Sequence, residues 1–256
     1  MDRAAFDRLF DMTGRTVIVT GGTRGIGLAL AEGYVLAGAN VVVASRKADA
    51  CEQAAQHLRE LGGQALGVPT HLGEVDGLGA LVERTVAEFG GIDVLVNNAA
   101  NPLAQPFGTM TVDALTKSFE VNLQGPVMLT QEALPHLTAS DHAAVLNMVS
   151  VGAFIFAPML SIYASMKAAM MSFTRSMAAE FVHRGIRVNA LAPGPVDTDM
   201  MRKNPKEAID GMVAGTLMGR LASADEMVGA ALLLTSDAGS YITGQVLIAD
   251  GGGTPR

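Results

Sequence analysis

A tyrosine and a lysine four residues apart carry the clearest chemical signal in this sequence of 256 residues. They are Tyr163 and Lys167, in the run Ser-Ile-Tyr-Ala-Ser-Met-Lys. If this segment is helical, the spacing places the phenol and the ammonium on one face. A nearby positive charge favours the phenolate and lowers the pKa of a phenol from its usual value of about 10. Such a tyrosine can exchange a proton with a substrate oxygen, although two solvated neighbours on a helix surface would show the same spacing.

A glycine-rich loop stands between the first predicted strand, residues 16–20, and the first predicted helix. It carries Gly21, Gly25 and Gly27. These glycines permit a tight turn and a close backbone approach to a diphosphate, which would lie at the N-terminus of the following helix. The arrangement favours a nucleotide site over a purely structural turn.

The residues after the second predicted strand, 40–44, indicate which dinucleotide would bind. They are Ser45, Arg46 and Lys47, and none of them is acidic. An acid at this place would hold the ribose 2′-hydroxyl of NAD and repel a 2′-phosphate. Arg46 and Lys47, together with Arg24 of the glycine loop, offer cations to that phosphate instead. The sequence therefore predicts NADP(H) over NAD(H), with ordinary surface cations as the alternative.

Over essentially its whole length the chain resembles the short-chain dehydrogenase/reductase superfamily. The resemblance rests on Thr20-Gly-Gly-Thr-Arg-Gly-Ile-Gly27, Asn97-Asn-Ala-Ala100, Val121-Asn-Leu123, Ser150, the Tyr163 and Lys167 pair, and Pro193-Gly194. It implies catalytic roles for Asn122, Ser150, Tyr163 and Lys167. The cofactor contacts that it implies are Gly21, Thr23, Arg24, Gly25, Ile26, Gly27, Ser45, Arg46, Lys47, His71, Leu72, Asn98, Ala99, Ala100, Tyr163, Lys167, Pro193, Gly194, Val196 and Thr198.

The resemblance also implies a separate chemical role for each of several site residues. Ser150 would steady the substrate oxygen, Tyr163 would transfer the proton, and Lys167 would hold the ribose and lower the pKa of the tyrosine. Asn122 would hold a water that relays protons towards solvent. Thr198, with the backbone near Val196, would fix the nicotinamide carboxamide.

Two positions depart from the family pattern. Ala100 stands where a glycine is usual, which leaves room for the cofactor but gives up backbone freedom. His71 stands where many members carry an aspartate that accepts a hydrogen bond from the adenine amino group. A histidine nitrogen can accept that bond in only one tautomer. Backbone contacts from Leu72 would survive the change.

Strand and helix patterns alternate along the chain without a linker or repeat. The predicted strands are 16–20, 40–44, 65–69, 92–96, 143–149, 186–192 and 245–249. This order predicts one α/β domain over residues 1–256, a Rossmann-like, doubly wound, seven-stranded and mostly parallel sheet with helices on both faces. A ligand belongs at the carboxyl ends of its strands. Residues 197–218 are expected to form a substrate lid within this domain.

Composition and charge argue against several classes of function and cellular location. The net charge of −7 argues against nucleic acid or an anionic membrane as the main partner. The single cysteine, Cys51, excludes an internal disulfide and fits a reducing compartment, and its polar helical context favours a surface role. The sequence shows neither a basic-then-apolar signal nor a membrane-length apolar run, so a cytoplasmic location is expected. Surface roles and no metal site are expected for His57, His136, His142 and His183.

The substrate is expected to be a small carbonyl or alcohol compound with a largely apolar body. Residues 154–160 are mostly apolar, and flexible apolar side chains follow the sixth predicted strand: Met200, Met201, Met212, Leu217 and Met218. They would suit an adaptable cover over such a substrate, or would simply pack against neighbouring helices. The resemblance is closest to NADP-dependent carbonyl and ketoacyl reductases.

Two other functions and an assembly remain open at this point. One alternative substrate is a 3-ketoacyl thioester of an acyl carrier protein or coenzyme A. The cations that could bind the phosphate of such a carrier are Arg202, Lys203 and Lys206. A dinucleotide-binding sensor or scaffold without turnover is the non-enzyme alternative, but all four implied catalytic residues are present, which favours an enzyme.

The resemblance implies a homotetramer, or a dimer, through the helix that bears Tyr163. The apolar residues of that helix predict a packed or subunit-facing surface: Met166, Met170, Phe173 and Met177.

Overall fold

Seven parallel strands form one sheet at the centre of the structure, a computed structural model that describes residues 1–254. In spatial order they are β3, β2, β1, β4, β5, β6 and β7, and every neighbouring pair is parallel. This confirms the predicted doubly wound sheet, and each strand begins and ends within two residues of its predicted bounds. The strands are β1 (Thr16–Thr20), β2 (Asn40–Ser45), β3 (Gln64–Pro69), β4 (Val94–Asn97), β5 (Ala144–Met148), β6 (Arg187–Pro193) and β7 (Val246–Ala249).

Helices cover both faces of this sheet. They are α1 (Arg3–Asp7), α2 (Gly25–Leu36), α3 (Ala48–Glu60), α4 (Leu78–Phe89), α5 (Val112–Phe119), α6 (Gly125–Ala139), α7 (Ser161–Phe181), α8 (Lys206–Ala214) and α9 (Val228–Thr235). One π-helical turn, Glu120–Gln124, joins α5 to α6 without a break. Between residues 1 and 254, no helix combines the length and the apolar character needed to cross a membrane.

The alternation of side chains along the strands separates two hydrophobic layers. Val17 and Val19 of β1 pack with the cluster that contains Leu30 of α2. Ile18, which points to the opposite face, packs with the cluster that contains Leu81 of α4 and Leu129 of α6. A parallel sheet covered on both faces needs strands that are apolar on both sides, which explains the continuous β-branched run in β1.

The strand order reverses beside β1, and this reversal fixes where a ligand can bind. The chain passes from β1 outward to β2 and β3, then returns to place β4 on the other side of β1. The connections leave a crevice outside the carboxyl ends of β1 and β4. Gly21 and Asn98 follow those two strands directly, so the loops predicted to bind a ligand face this crevice.

Cys51 is buried, so the prediction of a surface position is wrong. Its Sγ lies 3.3 Å from the carbonyl oxygen of Ser45 and 3.6 Å from that of Val68. Cys51 shares the inner face of α3 with other buried residues, namely Ala54, Ala55 and Leu58. The polar residues between them hide this apolar stripe. Burial raises the pKa of the thiol, so Cys51 serves as a small packed side chain.

Candidate active site

Helix α7 carries Tyr163 and Lys167 on its inner face, which confirms the predicted helical spacing. The same stripe continues through Met170, Thr174 and Met177, all of which are buried. The Thr174 hydroxyl accepts a hydrogen bond of 2.9 Å from the Nδ2 of Asn147 in β5, and Asn147 accepts one of the same length from Asn97 in β4. These buried bonds link α7 to β5 and β5 to β4, and they hold α7 in a fixed register against the sheet.

The Lys167 ammonium lies in the interior, where it donates a hydrogen bond of 2.7 Å to the carbonyl oxygen of Met148. Its Nζ is 5.5 Å from the centre of the Tyr163 ring. Burial penalises the charged form and lowers the pKa of Lys167 to about 8. The lysine is therefore close to its titration point at neutral pH, unlike an ordinary surface lysine.

The pKa of Tyr163 moves in the direction opposite to the one expected from Lys167. Burial of the phenol raises its pKa to about 12, and a hydrogen bond with the Ser150 side chain opposes part of that rise. Loss of water disfavours the phenolate, and a lysine whose bonded partner is the Met148 carbonyl does not compensate for it. In this structure the phenol of Tyr163 is thus held in its neutral form at neutral pH.

Ser150 follows β5 and begins a short turn over residues 151–153. Its Oγ accepts a hydrogen bond of 3.1 Å from the backbone N–H of Gly152. That contact fixes the oxygen while leaving the hydroxyl hydrogen able to donate. Ser150 can therefore offer a hydrogen bond beside the Tyr163 hydroxyl.

Asn122 lies in the π-helical turn and is buried, with its amide bonded to the protein. Its Oδ1 accepts from the backbone N–H of Asn101 at 3.0 Å, and its Nδ2 donates to the carbonyl oxygens of Asn101 and Ser118. Both amide hydrogens are used, so only the second lone pair of Oδ1 could hold a water. What the geometry shows directly is that Asn122 fixes the loop that follows β4.

A cavity of about 770 Å³ opens at the carboxyl ends of the strands, and Tyr163 and Lys167 lie in its wall. Asn122 and Ser150 do not line the cavity themselves, but Val121 and Val149, their neighbours in the chain, do. Most of the predicted cofactor contacts do line it: Gly21, Thr23, Arg24, Gly25, Ile26, Gly27, Ser45, Arg46, His71, Leu72, Asn98, Ala99, Ala100, Tyr163, Lys167, Pro193 and Thr198.

Three predicted contacts lie outside the cavity wall. Lys47 is the N-cap residue of α3 and is exposed to solvent. Gly194 packs on the backbone of Asp250, where a Cβ would come within 2.6 Å of the Asp250 Cα. Val196 is buried and pairs with Ala222 in an isolated β-bridge. These three residues shape the surrounding loops instead of contacting the cavity.

The glycine loop has the form that a diphosphate requires. Gly21 and Gly25 have positive φ angles of 67° and 54°. A Cβ on Gly27 would overlap the Gly21 carbonyl oxygen and the Asn98 amide. Helix α2 begins at Gly25, and its N-cap residue, Arg24, makes no side-chain cap. The first N–H groups of α2 therefore meet the cavity without a capping side chain, an arrangement that attracts an anion.

The cations beside this loop have no acidic partners in the described part of the chain. Within residues 1–254, Arg24 and Arg46 form no ion pair, and both line the cavity. Uncapped helical N–H groups and two free guanidinium groups fit the phosphates of a dinucleotide. Among the same residues, no group of three or more His, Cys, Asp or Glu side chains is placed to hold a metal ion.

Comparison with known proteins gives consistent results. A family profile described as Enoyl-(Acyl carrier protein) reductase matches residues 20–254. The chain is 38% identical to cis-4-hydroxycyclohexanecarboxylate dehydrogenase from Sinomonas cyclohexanicum, over 94% of this chain and 96% of that protein. Relatives named as dehydrogenase/reductase SDR family member 4, from Pongo abelii and Homo sapiens, are 33% identical over 100% of this chain and 92% of theirs. The chain belongs to the short-chain dehydrogenase/reductase superfamily.

Solved structures place the fold in the same superfamily. A 3-oxoacyl (acyl-carrier-protein) reductase from Agrobacterium tumefaciens C58, with NADP bound, superposes with a TM-score of 0.90 at 35% identity, over 95% of this chain and 96% of that one. A 7α-hydroxysteroid dehydrogenase complexed with NADH and a 7-oxo bile acid reaches 0.94 at 31% identity, over 98% of both chains. These short-chain dehydrogenase/reductase structures contain different nicotinamide dinucleotides, so similarity alone does not decide the cofactor.

Residues 197–218 follow β6 and include α8. The Thr198 hydroxyl accepts from the backbone N–H of Met201 and begins the segment, and the Met218 N–H donates to the Gly251 carbonyl at its end. The exposed fractions of Met200 and Leu217 are 47% and 89%. Large apolar side chains thus lie uncovered beside the cavity.

Other cavity residues were not anticipated from the sequence. Lys117 and Glu120 come from the end of α5 and the π turn, just before the Val121-Asn122 motif, and this proximity is the one signal that could have revealed them. Val121 belongs to that motif itself. The remaining unanticipated residues have no comparable signal: Ala44, Thr70, Gly73, Glu74, Asn101, Pro102, Met148, Val149 and Asp199.

Proposed function

We propose that this short-chain dehydrogenase/reductase is an NADP(H)-dependent enzyme that interconverts a carbonyl and a secondary alcohol on a largely apolar substrate. The observation that supports this best is the arrangement of one cavity. Tyr163 and Lys167 lie in the same wall as the uncapped N-terminus of α2 and the free guanidinium groups of Arg24 and Arg46. Proton-transfer groups and a dinucleotide-shaped anion site therefore face a common space.

The side chains divide the chemistry as follows. A bound NADPH would supply the hydride to the carbonyl carbon. The Ser150 hydroxyl donates a hydrogen bond to the substrate oxygen as negative charge develops on it. Tyr163 then gives its proton to that oxygen. With a pKa of about 12 the phenol is protonated at neutral pH, which suits the direction of carbonyl reduction.

Lys167 and Asn122 support this transfer. Lys167 has a pKa of about 8, so it can return a proton towards the phenolate near neutral pH. Asn122 fixes the Asn101 loop that lines the cavity, and the second lone pair of its Oδ1 remains for the water relay that the superfamily resemblance implies. Thr198 is held by its cap to Met201 at the cavity wall, where it would meet the nicotinamide end.

NADP(H) is proposed over NAD(H) because of the charges around the end of β2. Ser45 and Arg46 line the cavity at the place where an acid would hold a free ribose hydroxyl. Arg24 approaches from the glycine loop, and neither arginine is paired within the described chain. Two guanidinium groups can bind a 2′-phosphate through charge-assisted bonds.

The substrate is proposed to be an apolar carbonyl or alcohol compound, with residues 197–218 as a lid. The exposed apolar residues of that segment need a cover or a ligand, and flexible methionines adapt to varied shapes. The relatives described above are named for a hydroxycyclohexane carboxylate, a 3-oxoacyl group and a steroid. All three names describe a secondary alcohol or its ketone.

A 3-ketoacyl thioester is the second candidate, and one lid cation supports it. Arg202 is bonded to Asp197 at 2.8 and 3.0 Å, and Lys206 is bonded to Asp210 at 2.6 Å. Lys203 lines the cavity and makes no ion pair within residues 1–254. A single unpaired lysine is a weaker phosphate site than the pair at β2, so this substrate ranks second.

A panel of cyclic and linear ketones, aldehydes, secondary alcohols and one 3-ketoacyl thioester tests the proposal by following nicotinamide absorbance with either cofactor. We expect turnover of apolar cyclic ketones with NADPH. If NADPH binds but no member of the panel is converted, the chain acts as a dinucleotide-binding sensor or scaffold. If only the thioester is converted, the second candidate is correct.

The cofactor preference has its own test. Charge-assisted contacts should make NADP(H) bind better than NAD(H) by roughly 1.5–3 kcal/mol, about one to two orders of magnitude. In a variant that combines Ser45→Asp with Arg46→Gln, the attraction is replaced by repulsion, so the preference should invert. The measurement is kcat/KM, or Kd, for both cofactors in the wild type and the variant. A wild type that prefers NAD(H), or a variant that still prefers NADP(H), would show that Arg46 does not read the phosphate.

A further inference from the structure

His71 stands at the carboxyl end of β3, in the part of the cavity that the ends of β2 and β3 form. The backbone N–H of Thr70 donates to the carbonyl oxygen of Ser45 at 2.8 Å, which ties the ends of the two strands together. His71 lines the cavity there with Ser45 and Arg46, and 35% of its side chain is exposed. If a dinucleotide lies as proposed, this is the end that receives the adenosine.

The imidazole of His71 is held by the turn that follows it. Its Nδ1 accepts a hydrogen bond of 3.2 Å from the backbone N–H of Gly73. The backbone N–H of Glu74 donates to the carbonyl oxygen of His71 at 2.9 Å and closes the same turn. A Cβ on Gly73 would come within 3.1 Å of the ring Cε1, so the ring rests directly on the Gly73 backbone.

These contacts decide which ring nitrogen carries the proton. A nitrogen that accepts from a backbone N–H is unprotonated, so in the neutral ring the hydrogen belongs to Nε2. The Glu74 carboxylate would favour the opposite tautomer, but its Oε1 is 3.9 Å from Nδ1 and its side chain is 79% exposed. That distance is beyond hydrogen-bond range, and an exposed charge is screened by solvent.

Nε2 has no hydrogen-bond partner among residues 1–254 and is a donor. Resting on the proposed dinucleotide function, we propose that His71 donates this hydrogen to an acceptor on the purine, and does not accept from the adenine amino group. Adenine presents the acceptor N7 beside its amino donor, and N7 is the acceptor that we assign to His71. His71 would thus act as a hydrogen-bond donor to the base, whereas the sequence predicts an acceptor at this position.

A hydrogen-bond donor at His71 affects which purine bases the site can bind. Hypoxanthine carries a carbonyl oxygen, an acceptor, where adenine carries the amino group. A donor on the protein can bond N7, which is an acceptor in both purines, whereas an acceptor that bonds the amino group would face the lone pairs of the hypoxanthine oxygen. His71 should therefore make the protein tolerant of a hypoxanthine dinucleotide.

The tautomer can be measured without any cofactor. Two-dimensional ¹H–¹⁵N correlation of the imidazole nitrogens, at a pH of about 8 where a free imidazole is neutral, separates protonated from unprotonated ring nitrogens. Comparison with His71→Leu assigns the His71 signals among the five histidines. We expect Nδ1 to be unprotonated and Nε2 to carry the hydrogen. The reverse pattern would overturn the inference.

The base contact is tested by fluorescence titration with NADPH and with reduced nicotinamide hypoxanthine dinucleotide phosphate. In the wild type the two Kd values should agree within about threefold. His71→Leu should weaken both ligands by a similar factor, about five- to twentyfold, because the donor serves both purines. His183→Leu, at an exposed position away from the cavity, is the matched control and should change neither Kd.

Other outcomes identify which proposal fails. If the wild type rejects hypoxanthine by tenfold or more and His71→Leu removes this selectivity, His71 accepts from the amino group and the inference is wrong. If His71→Leu changes neither Kd, His71 does not contact the base and the inference is equally wrong. If NADPH itself does not bind, the proposed function fails and this inference fails with it.

Discussion

Burial shifts the pKa values of Tyr163 and Lys167 in opposite directions. Burial raises the pKa of Tyr163 to about 12 and lowers that of Lys167 to about 8. Both shifts favour the neutral form of the group, as removal from water requires. The pair therefore enters its chemistry with a protonated phenol and a lysine that releases its proton more easily than a surface lysine.

Replacing Tyr163 by phenylalanine removes the proton donor and keeps the ring. Turnover should fall by about a hundredfold or more, because a general acid contributes on that scale. The Kd for NADPH should stay within about threefold of the wild type, as measured by fluorescence titration. Tyr241→Phe removes a hydroxyl from a fully exposed tyrosine and should leave both quantities unchanged. A Tyr163→Phe enzyme that keeps its kcat would refute the acid role.

The lowered pKa of Lys167 predicts how stability depends on pH. Between about pH 8 and 10.5 the unfolded chain binds more protons than the folded one, so the contribution of Lys167 to stability rises with pH and is least favourable below pH 8. The free energy of unfolding of the wild type, relative to Lys167→Met, should increase by about 2 kcal/mol from pH 7.5 to 9.5. This window stays below the ordinary tyrosine pKa.

Urea denaturation of both proteins at one protomer concentration measures that difference. Lys206→Met, at an exposed position, supplies the baseline for removing a lysine. A difference between wild type and Lys167→Met that does not change with pH would contradict the lowered pKa. The variant should also lose turnover and bind NADPH more weakly, because the same ammonium serves the ribose in the proposed mechanism.

At the level of elements, the junction between β1 and α2 depends on Gly27. A Cβ there would overlap the Gly21 carbonyl oxygen and the Asn98 amide, both of which belong to the loops that frame the cavity. Overpacking of this kind costs about 1–3 kcal/mol. Gly27→Ala should therefore lower the free energy of unfolding by about 2 kcal/mol and weaken NADPH binding.

Gly229→Ala is the matched control, because its Cβ would meet nothing within 4 Å in helix α9. The better helix propensity of alanine should raise stability by up to about 1 kcal/mol. Denaturant unfolding of both variants measures the two effects. Similar stabilities for the two variants would mean that the loop can shift to accept a side chain at position 27.

The elements themselves were predictable because each carries a local signal. The β-branched runs of β1 and β2 end at glycine or polar residues, so their bounds follow from the sequence within two residues. The burial of Cys51 was missed because its apolar partners on α3 are small and separated by polar residues. The upward shift of the Tyr163 pKa was missed because desolvation depends on packing that spacing does not reveal.

The residues of the cavity also divide into those that a sequence motif reveals and those whose position depends on local packing. Motif positions at strand ends line one cavity because the fold brings the carboxyl ends of parallel strands to one edge. Lys47, Gly194 and Val196 were assigned to the cofactor by the same motifs but lie outside the cavity wall. Their exact orientation depends on the local turn, and sequence spacing does not fix it.

At the scale of the whole molecule, the exposed surface of α5 and α7 predicts an assembly. Phe173 of α7 is 40% exposed, and three apolar residues of the neighbouring α5 are also exposed: Val112, Leu115 and Phe119. The two helices pack beside each other, and we propose that these side chains form one apolar surface. A surface of this kind on one chain is typical of a subunit interface. The inner face of the same α7 carries Tyr163 and Lys167, so assembly would also brace the proton-transfer residues.

We therefore expect light scattering coupled to gel filtration to give a mass of about four times the 26.5 kDa of one chain. Phe173→Glu places a charge within the apolar surface, and its desolvation cost should reduce the mass to that of a dimer or monomer. Phe6→Glu changes a phenylalanine of α1 that is 57% exposed, more than Phe173, and should leave the mass unchanged. A monomeric wild type would exclude the tetramer. An unchanged mass for Phe173→Glu would place the interface on another surface.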